Sequence, residues 1–413
     1  MMPKYWQRKP LGELVRIASG QVDPKDPEIA QRLSVGPDNL RSGGGFDRAS
    51  VKTAADLDQI SGKYAFDRNA ILYSKIRPNL NKIALVDFEG ICSADMYPIW
   101  VRDDQQAFRD FIFYVMNSER FVADATSRSF RTGLPKINRP DLESIEVPLP
   151  PLPEQRKIAA ILRTWDLGLE KLEALRAAKV QRHRALTHSL VFGTRQLDRF
   201  HTTDEVTPHR WFTLPASWGS LPIGKLAKEI AERNAEGEQY EVLSCSKYDG
   251  FVRSLEYFKK QVFSADLSGY KKIWRGDFGF PSNHVEEGSI GLQNLIDVGV
   301  VSPIYTVFRF DPKKVDADYA FAVLKTRLYR HIFEVSTSAS VDRRGSLRWS
   351  EFSKLPFPLP PLAEQQAIAE VLRTAQIDLD ALSNEIELLT RQKRGLMQKL
   401  LTGEWRVKVE AAA

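Results

Sequence analysis

Two short basic stretches offer the most direct chemistry in this 413-residue chain. RSFRTGLPKINR sets Arg128, Arg131, Lys136 and Arg139 within twelve residues and no acid, and VDRRGSLRW sets Arg343, Arg344 and Arg348 around Gly345. Guanidinium groups beside a glycine turn suit phosphate oxygens or the edge of guanine, which they can bond in bidentate fashion. A solvated charged loop would carry the same residues. The recurrence of the cluster at nearly the same distance before a proline-rich helix start favours contact. YSKIRPNLNK, with Lys75, Arg77, Asn79 and Lys82, and FPSNHVEEG, with Asn283 and His284, have the composition of further contact loops, and a structural turn accounts for either equally well.

Catalytic chemistry has no comparable signature. The chain lacks a Walker A sequence, HExxH, GxSxG and the Asn/Asp-Pro-Pro-aromatic run of amino-methyltransferases, and SGGGF at Ser42–Phe46 lacks the spacing of a dinucleotide turn. The six histidines form no ligand cluster in sequence, and His183 and His188, five apart, leave one helical face. Glu286 and Glu287 suit a polar loop better than an acid/base dyad. The expectation is therefore no catalytic residue, no metal site and no cofactor bound by this chain.

The elements that must position the basic loops form a repeat. PLPPLPEQRKIAAILRT from Pro148 returns as PLPPLAEQQAIAEVLRT from Pro358, 210 positions on, and the same offset pairs Leu162 with Leu372, Leu172 with Leu382, Leu190 with Leu400 and Gly193 with Gly403. Upstream, WQRKPLGEL at Trp6 matches WGSLPIGKL at Trp218, and DFIFYVMNSERF matches DYAFAVLKTRLY, with offsets of 212 and 208. A segment that tolerates no change of length is a helix whose register matters, whereas the upstream parts contain loops. The prolines forbid a preceding helical turn, Pro153 fits the first helical position, and Glu154 and Glu364 fall where the helix dipole favours a carboxylate.

Apolar residues then step by four and three through Ile368, Leu372, Ala375, Leu379, Leu382, Ile386, Leu389, Leu396 and Leu400, a heptad seam interrupted by Lys393. The first copy follows the same seam but puts Arg176, Lys179 and His183 into core slots. The expectation is that the two helices pair with each other and that the polar trio selects their alignment; two unrelated amphipathic helices would be the alternative. Short apolar runs such as AILYSKI, KIALVDF and YTVFRF, bounded by Gly, Pro and Asn, indicate strands, so the preceding parts are α+β domains.

Composition agrees with a folded protein: 43% apolar and 27% charged residues, with 59 Lys and Arg against 53 Asp and Glu. The formal charge of +6 makes nucleic acid the first partner to consider, although many enzymes share it. Cys92 and Cys245 make neither a disulfide framework nor a zinc ligand set, which fits a reducing compartment. With no signal-peptide core and no 18-residue apolar stretch, the expected location is the cytoplasm, away from membranes.

The doubled PLPPLxEQ opening, the long helices behind it and the RTGLPKIN stretch before the first resemble the specificity subunits of Type I restriction-modification enzymes, over essentially the whole chain. The resemblance implies two pseudo-repeated α/β target-recognition domains, residues 1–147 and 196–357, joined by helical spacers, 148–195 and 358–413, that pair as an antiparallel coiled coil. It implies that each domain reads half of a bipartite, gapped sequence in double-stranded DNA, and that two DNA methyltransferase subunits and a restriction/translocase subunit dock on the scaffold. S-adenosylmethionine, ATP and magnesium would belong to those partners. Lys75, Arg77, Lys82, Arg128, Arg131, Lys136, Asn283, His284, Arg343, Arg344 and Arg348 are the expected DNA contacts. Pro150, Glu154, Gln155, Pro360, Glu364 and Gln365 are the expected helix signature and partner-docking residues. A helix of about 40 residues is roughly 60 Å long, which suits half-sites about one duplex turn apart. Service to a fused restriction-methyltransferase enzyme and a scaffold that binds no DNA are the alternatives.

Overall fold

A computed structural model describes residues 3–129, 135–337 and 346–408. The chain divides into two units: Met1–Ala174 with Asn384–Ala413, and Leu175–Ser383. Each unit groups one mixed domain with the start of the long helix that follows it and the end of the other long helix. The helices run Leu152–Val191 and Leu362–Thr402. Leu152 opens the first, so Pro153 occupies its second position, and the carbonyl of Pro151 receives the N–H groups of Glu154 and Gln155 at 2.9 and 3.1 Å. Pro361 serves Glu364 and Gln365 in the same way. Proline at such a start loses nothing, because its missing N–H would have had no helical acceptor.

In the first unit an antiparallel sheet orders its strands Val15–Ile17, Met96–Val101, Ile71–Ser74, Ile83–Leu85. Ile71, Leu72, Tyr73 and Ser74 are all buried because both faces of this strand are covered. Alternation along the strand assigns Ile71 and Tyr73 to the core shared with the helix Arg109–Met116, and Leu72 to a second core with Val35 and Cys92 of the neighbouring sheet. The second unit repeats the order with Ala227–Glu229, Tyr305–Phe310, Phe278–Pro281 and Gly291–Leu292. Phe278, Phe280, Phe308 and Phe310 face the helix Ala317–Leu324, while Tyr305 and Val307 face a smaller core with Leu243, Phe251 and Ile273. The α+β expectation, with two versions of one domain plan, is met.

Helix pairing is visible inside each unit. In the second, Arg176 donates to Ser383 Oγ at 2.8 Å, Lys179 to Asp378 at 2.6 Å, and His183 Nε2 lies 3.4 Å from the Leu372 carbonyl. Partner numbers fall as the first helix advances, so the pairing is antiparallel. All three members of the polar trio thus cross to the facing helix, as a register device should. In the first unit Lys393, the polar slot of the second helix, pairs with Asp166, whose other oxygen accepts from Tyr114.

Each long helix closes on a glycine in the left-handed region, Gly193 at φ +66° and Gly403 at φ +74°. A Cβ there would lie 2.4 Å from the ring of Pro215 or of Pro3, which precede Trp218 and Trp6. Gly193→Ala and Gly403→Ala should each lower stability by more than about 1 kcal/mol, through positive φ and overlap together. Gly395→Ala, mid-helix with open space around it, should raise stability by up to about 1 kcal/mol. Denaturant titration of the full chain measures all three.

Candidate nucleic-acid interface

The helix signature proves to be an internal anchor. Glu154 is 7% exposed and Glu364 2%. Glu154 accepts from the indole N–H of Trp6 at 3.2 Å, the Tyr5 hydroxyl at 3.0 Å and the Arg406 guanidinium at 3.0 Å. Glu364 accepts from Trp218 Nε1 at 3.0 Å and Gln196 Nε2 at 3.2 Å. Gln155 accepts from the N–H of Phe108 and donates to the carbonyls of Gln106 and Pro150, and Gln365 repeats this with Asp316, Lys314 and Pro360. Pro150, Glu154, Gln155, Pro360, Glu364 and Gln365 are all buried. The four polar side chains are spent on bonds within the chain.

The basic loops gather at one end of each central sheet. In the first unit the strand end Ser74–Arg77 pairs with 135–137: the Arg77 N–H donates to Pro135, and the Ile137 N–H to Lys75. Lys75 and Arg139 thereby flank Tyr97, with the Lys75 amine 5.0 Å and the Arg139 guanidinium 5.9 Å from its ring centroid, and Lys136 Nζ lies 3.3 Å from Asp95. Arg77 is exposed and stands in the left-handed region at φ +48°. Arg128 is exposed at the end of the helix Glu119–Ser127 and bonds Ser144 Oγ at 2.8 Å.

Two of the expected contact residues are engaged within the chain. Lys75 is 9% exposed, and burial first, then the neighbouring Lys136, holds its amine below the usual lysine range. Lys82 turns inward, donating to the Pro37 carbonyl at 2.8 Å beside Asp38. Among the expected cations described in this unit, Arg77 and Arg128 are exposed and Lys136 is half-buried. Arg131, Arg343 and Arg344 lie outside the described residues.

The second unit places its version at the matching end. The Leu347 N–H donates to Ser282 as Ile137 does to Lys75, bringing Arg348 to the loop that carries Asn283 and His284. Arg348 is exposed, and the His284 side chain is 46% exposed with Nδ1 3.4 Å from Glu287. His284, Glu286 and Glu287 offer ligand atoms within 4.8 Å of one another, a grouping the sequence did not suggest. Acids at such a face can accept from the amino group of cytosine.

Sequence reasoning missed a further loop in each unit. In the first, the Gly43 N–H donates to the carbonyls of Leu80 and Asn81, while Asn81 donates to Asn117 at the end of the helix Arg109–Met116. In the second, Lys325 at the end of the helix Ala317–Leu324 donates to Lys247 at 2.9 Å and Gly288 at 3.0 Å. Thus 41–46 and 246–250 lie beside the contact loops, fastened by equivalent positions with different chemistry. The repeated offset of 208 pairs Asn117 with Lys325 and was the available signal.

A protein with two mixed domains, two antiparallel helices and a basic loop face on each domain is of the class built to recognise, and comparison identifies which. The family model described as "Type I restriction modification DNA specificity domain" matches residues 3–182 and 254–391, and the chain belongs to that family. Specificity subunits of this class are non-catalytic. The chain is 37% identical over 157 residues to the Type I restriction enzyme EcoDI specificity subunit of Escherichia coli, covering 38% of this chain and 34% of that one. It spans about a third of that relative's length. The MjaVIII specificity subunit of Methanocaldococcus jannaschii is 25% identical, over 72% of this chain and 70% of its own. Among solved structures, a chain from a study of assembly and conformational transition in the type I R-M system aligns over 98% of this chain and 100% of its own, with a TM-score of 0.58 and 19% identity. The S subunit from M. genitalium gives 0.54 and 16% over 96% of each chain. At these identities the likeness concerns the fold.

Burial holds the Glu364 carboxyl above its ordinary 4.5, against the opposing bonds from Gln196 and Trp218. A carboxyl raised on folding contributes most below 4.5, and that contribution is lost as pH rises through the folded value. Wild type should therefore lose stability relative to Glu364→Gln between acid and neutral pH, as denaturant titration of both chains would show. The opposite slope would mean that the ionised form is the stabilised one.

Proposed function

We propose that this chain directs a Type I restriction-modification system to DNA, each mixed domain contacting one half of a gapped duplex target through its loop face. The observation that carries the reading is that the same loop trio is built twice, on the same sheet end, with different side chains: Arg77 and Lys136 in one, Asn283, His284 and Arg348 in the other. A shared frame with unlike contact residues suits two unlike half-sites. Exposed guanidinium groups on loops can bond phosphates and guanine edges.

In this reading the paired helices set the spacing and carry two DNA methyltransferase subunits and a restriction/translocase subunit. S-adenosylmethionine, ATP and magnesium would be bound by those partners. Among the described residues no helix is long and apolar enough to cross a membrane, and a cytoplasmic place beside the DNA accords with the proposal.

Affinity of the full chain for duplex DNA should fall linearly on a log–log plot as salt rises. Arg348→Ala should weaken binding about tenfold and Lys75→Met much less, Lys75 being turned inward. Binding that ignores salt would contradict the proposal. Removing one heptad from both helices should shorten the gap between selected half-sites and leave their bases unchanged; altered bases with an unchanged gap would contradict the spacer role.

A further inference from the structure

We infer that Tyr248, at the tip of the hairpin 246–250, is a DNA-contacting and specificity-determining residue for the half-site read by the second domain, an inference that rests on the function proposed above. Strands Leu243–Ser246 and Gly250–Arg253 pair with Ser246 opposite Gly250, which leaves Lys247, Tyr248 and Asp249 as the tip. Three constraints hold it. Ser246 Oγ accepts the N–H groups of Tyr248 and Asp249 at 3.2 and 3.3 Å and donates to the Asp249 carboxylate at 3.1 Å. Gly250 turns at φ +78°, where a Cβ would meet the Phe321 ring at 3.3 Å. The Lys325 amine fastens the Lys247 carbonyl to that of Gly288, at the end of the loop carrying Asn283 and His284. At the base of the hairpin, the Cys245 N–H donates to the Tyr305 hydroxyl and Phe251 is buried.

On this restrained tip the Tyr248 side chain is 75% exposed, the most exposed large apolar side chain among the described residues. The Lys247 amine lies 5.2 Å from its ring centroid, so an aromatic face and a cation are presented together. An aromatic ring held on a rigid turn loses little conformational freedom when it binds. Beside a duplex it can pack on a thymine methyl or wedge against a base step, with the cation serving a phosphate. The loop 41–46 of the first domain has Gly43, Gly44 and Gly45, all at positive φ, and its one ring, Phe46, is partly buried against Phe88 with centroids 5.6 Å apart. The ring contact therefore belongs to one half-site only.

The test selects binding sequences for the full chain from a pool of random duplexes and compares wild type with Tyr248→Ala and Tyr248→Phe. Tyr248→Ala should weaken binding to the wild-type sequence about tenfold, within the range for one lost stacking contact. It should also relax base preference in one half-site and leave the other unchanged, and Tyr248→Phe, which keeps the ring, should retain the preference. Unchanged affinity and sequence for Tyr248→Ala, with Arg348→Ala still weakening binding, would overturn the inference and leave the proposed function standing. It would leave the tip for a protein partner instead. A wild-type chain that selects no duplex would overturn both.

Discussion

The structure depends on two buried carboxylates. Glu154 and Glu364 open the two long helices, and each accepts the indole N–H of the tryptophan that begins its own mixed domain. Removing a carboxylate from water is costly, and it is tolerated where several donors and a helix N-terminus compensate. The third element at each carboxylate comes from the chain just beyond the end of the other long helix: Arg406 at Glu154, Gln196 at Glu364. One side chain thus ties a domain, a helix start and a helix end, while the adjacent glutamine fixes the domain's next turn through three backbone groups.

This explains why the helical repeat keeps a strict 210-residue offset and the domains do not. An inserted residue between anchor and seam would rotate Leu162 or Leu372 off its face by about 100°, whereas an insertion in a loop disturbs neither anchor nor seam. The changes of offset, 212 at Trp6 and Trp218 and 208 at Asp110 and Asp318, accordingly fall within the mixed domains.

Much of this was legible in the sequence. The proline starts, the seam and the polar trio of Arg176, Lys179 and His183 gave the helices and their pairing, because period and capping are local properties. The roles of Glu154 and Gln155 were not legible, since their partners Trp6, Arg406 and Phe108 are distant in sequence and only the fold brings them together. The surroundings of Lys75 and Lys82 were hidden for a related reason. Charge in a short loop does not reveal direction, and Lys75 continues the buried strand Ile71–Ser74 toward Tyr97 rather than toward solvent. The fastening positions Asn117 and Lys325 were hidden because equivalent places in the two domains hold different residues that perform one task.

The central claim, that this chain chooses the DNA sequence for a methyltransferase it does not itself contain, is tested most directly by mapping modified adenines in cells with and without the gene, the methyltransferase subunits being present in both. The account predicts a mark that depends on the gene and falls at one gapped, asymmetric, two-part sequence. Identical maps, with the methyltransferase expressed and bound to this chain, would contradict it.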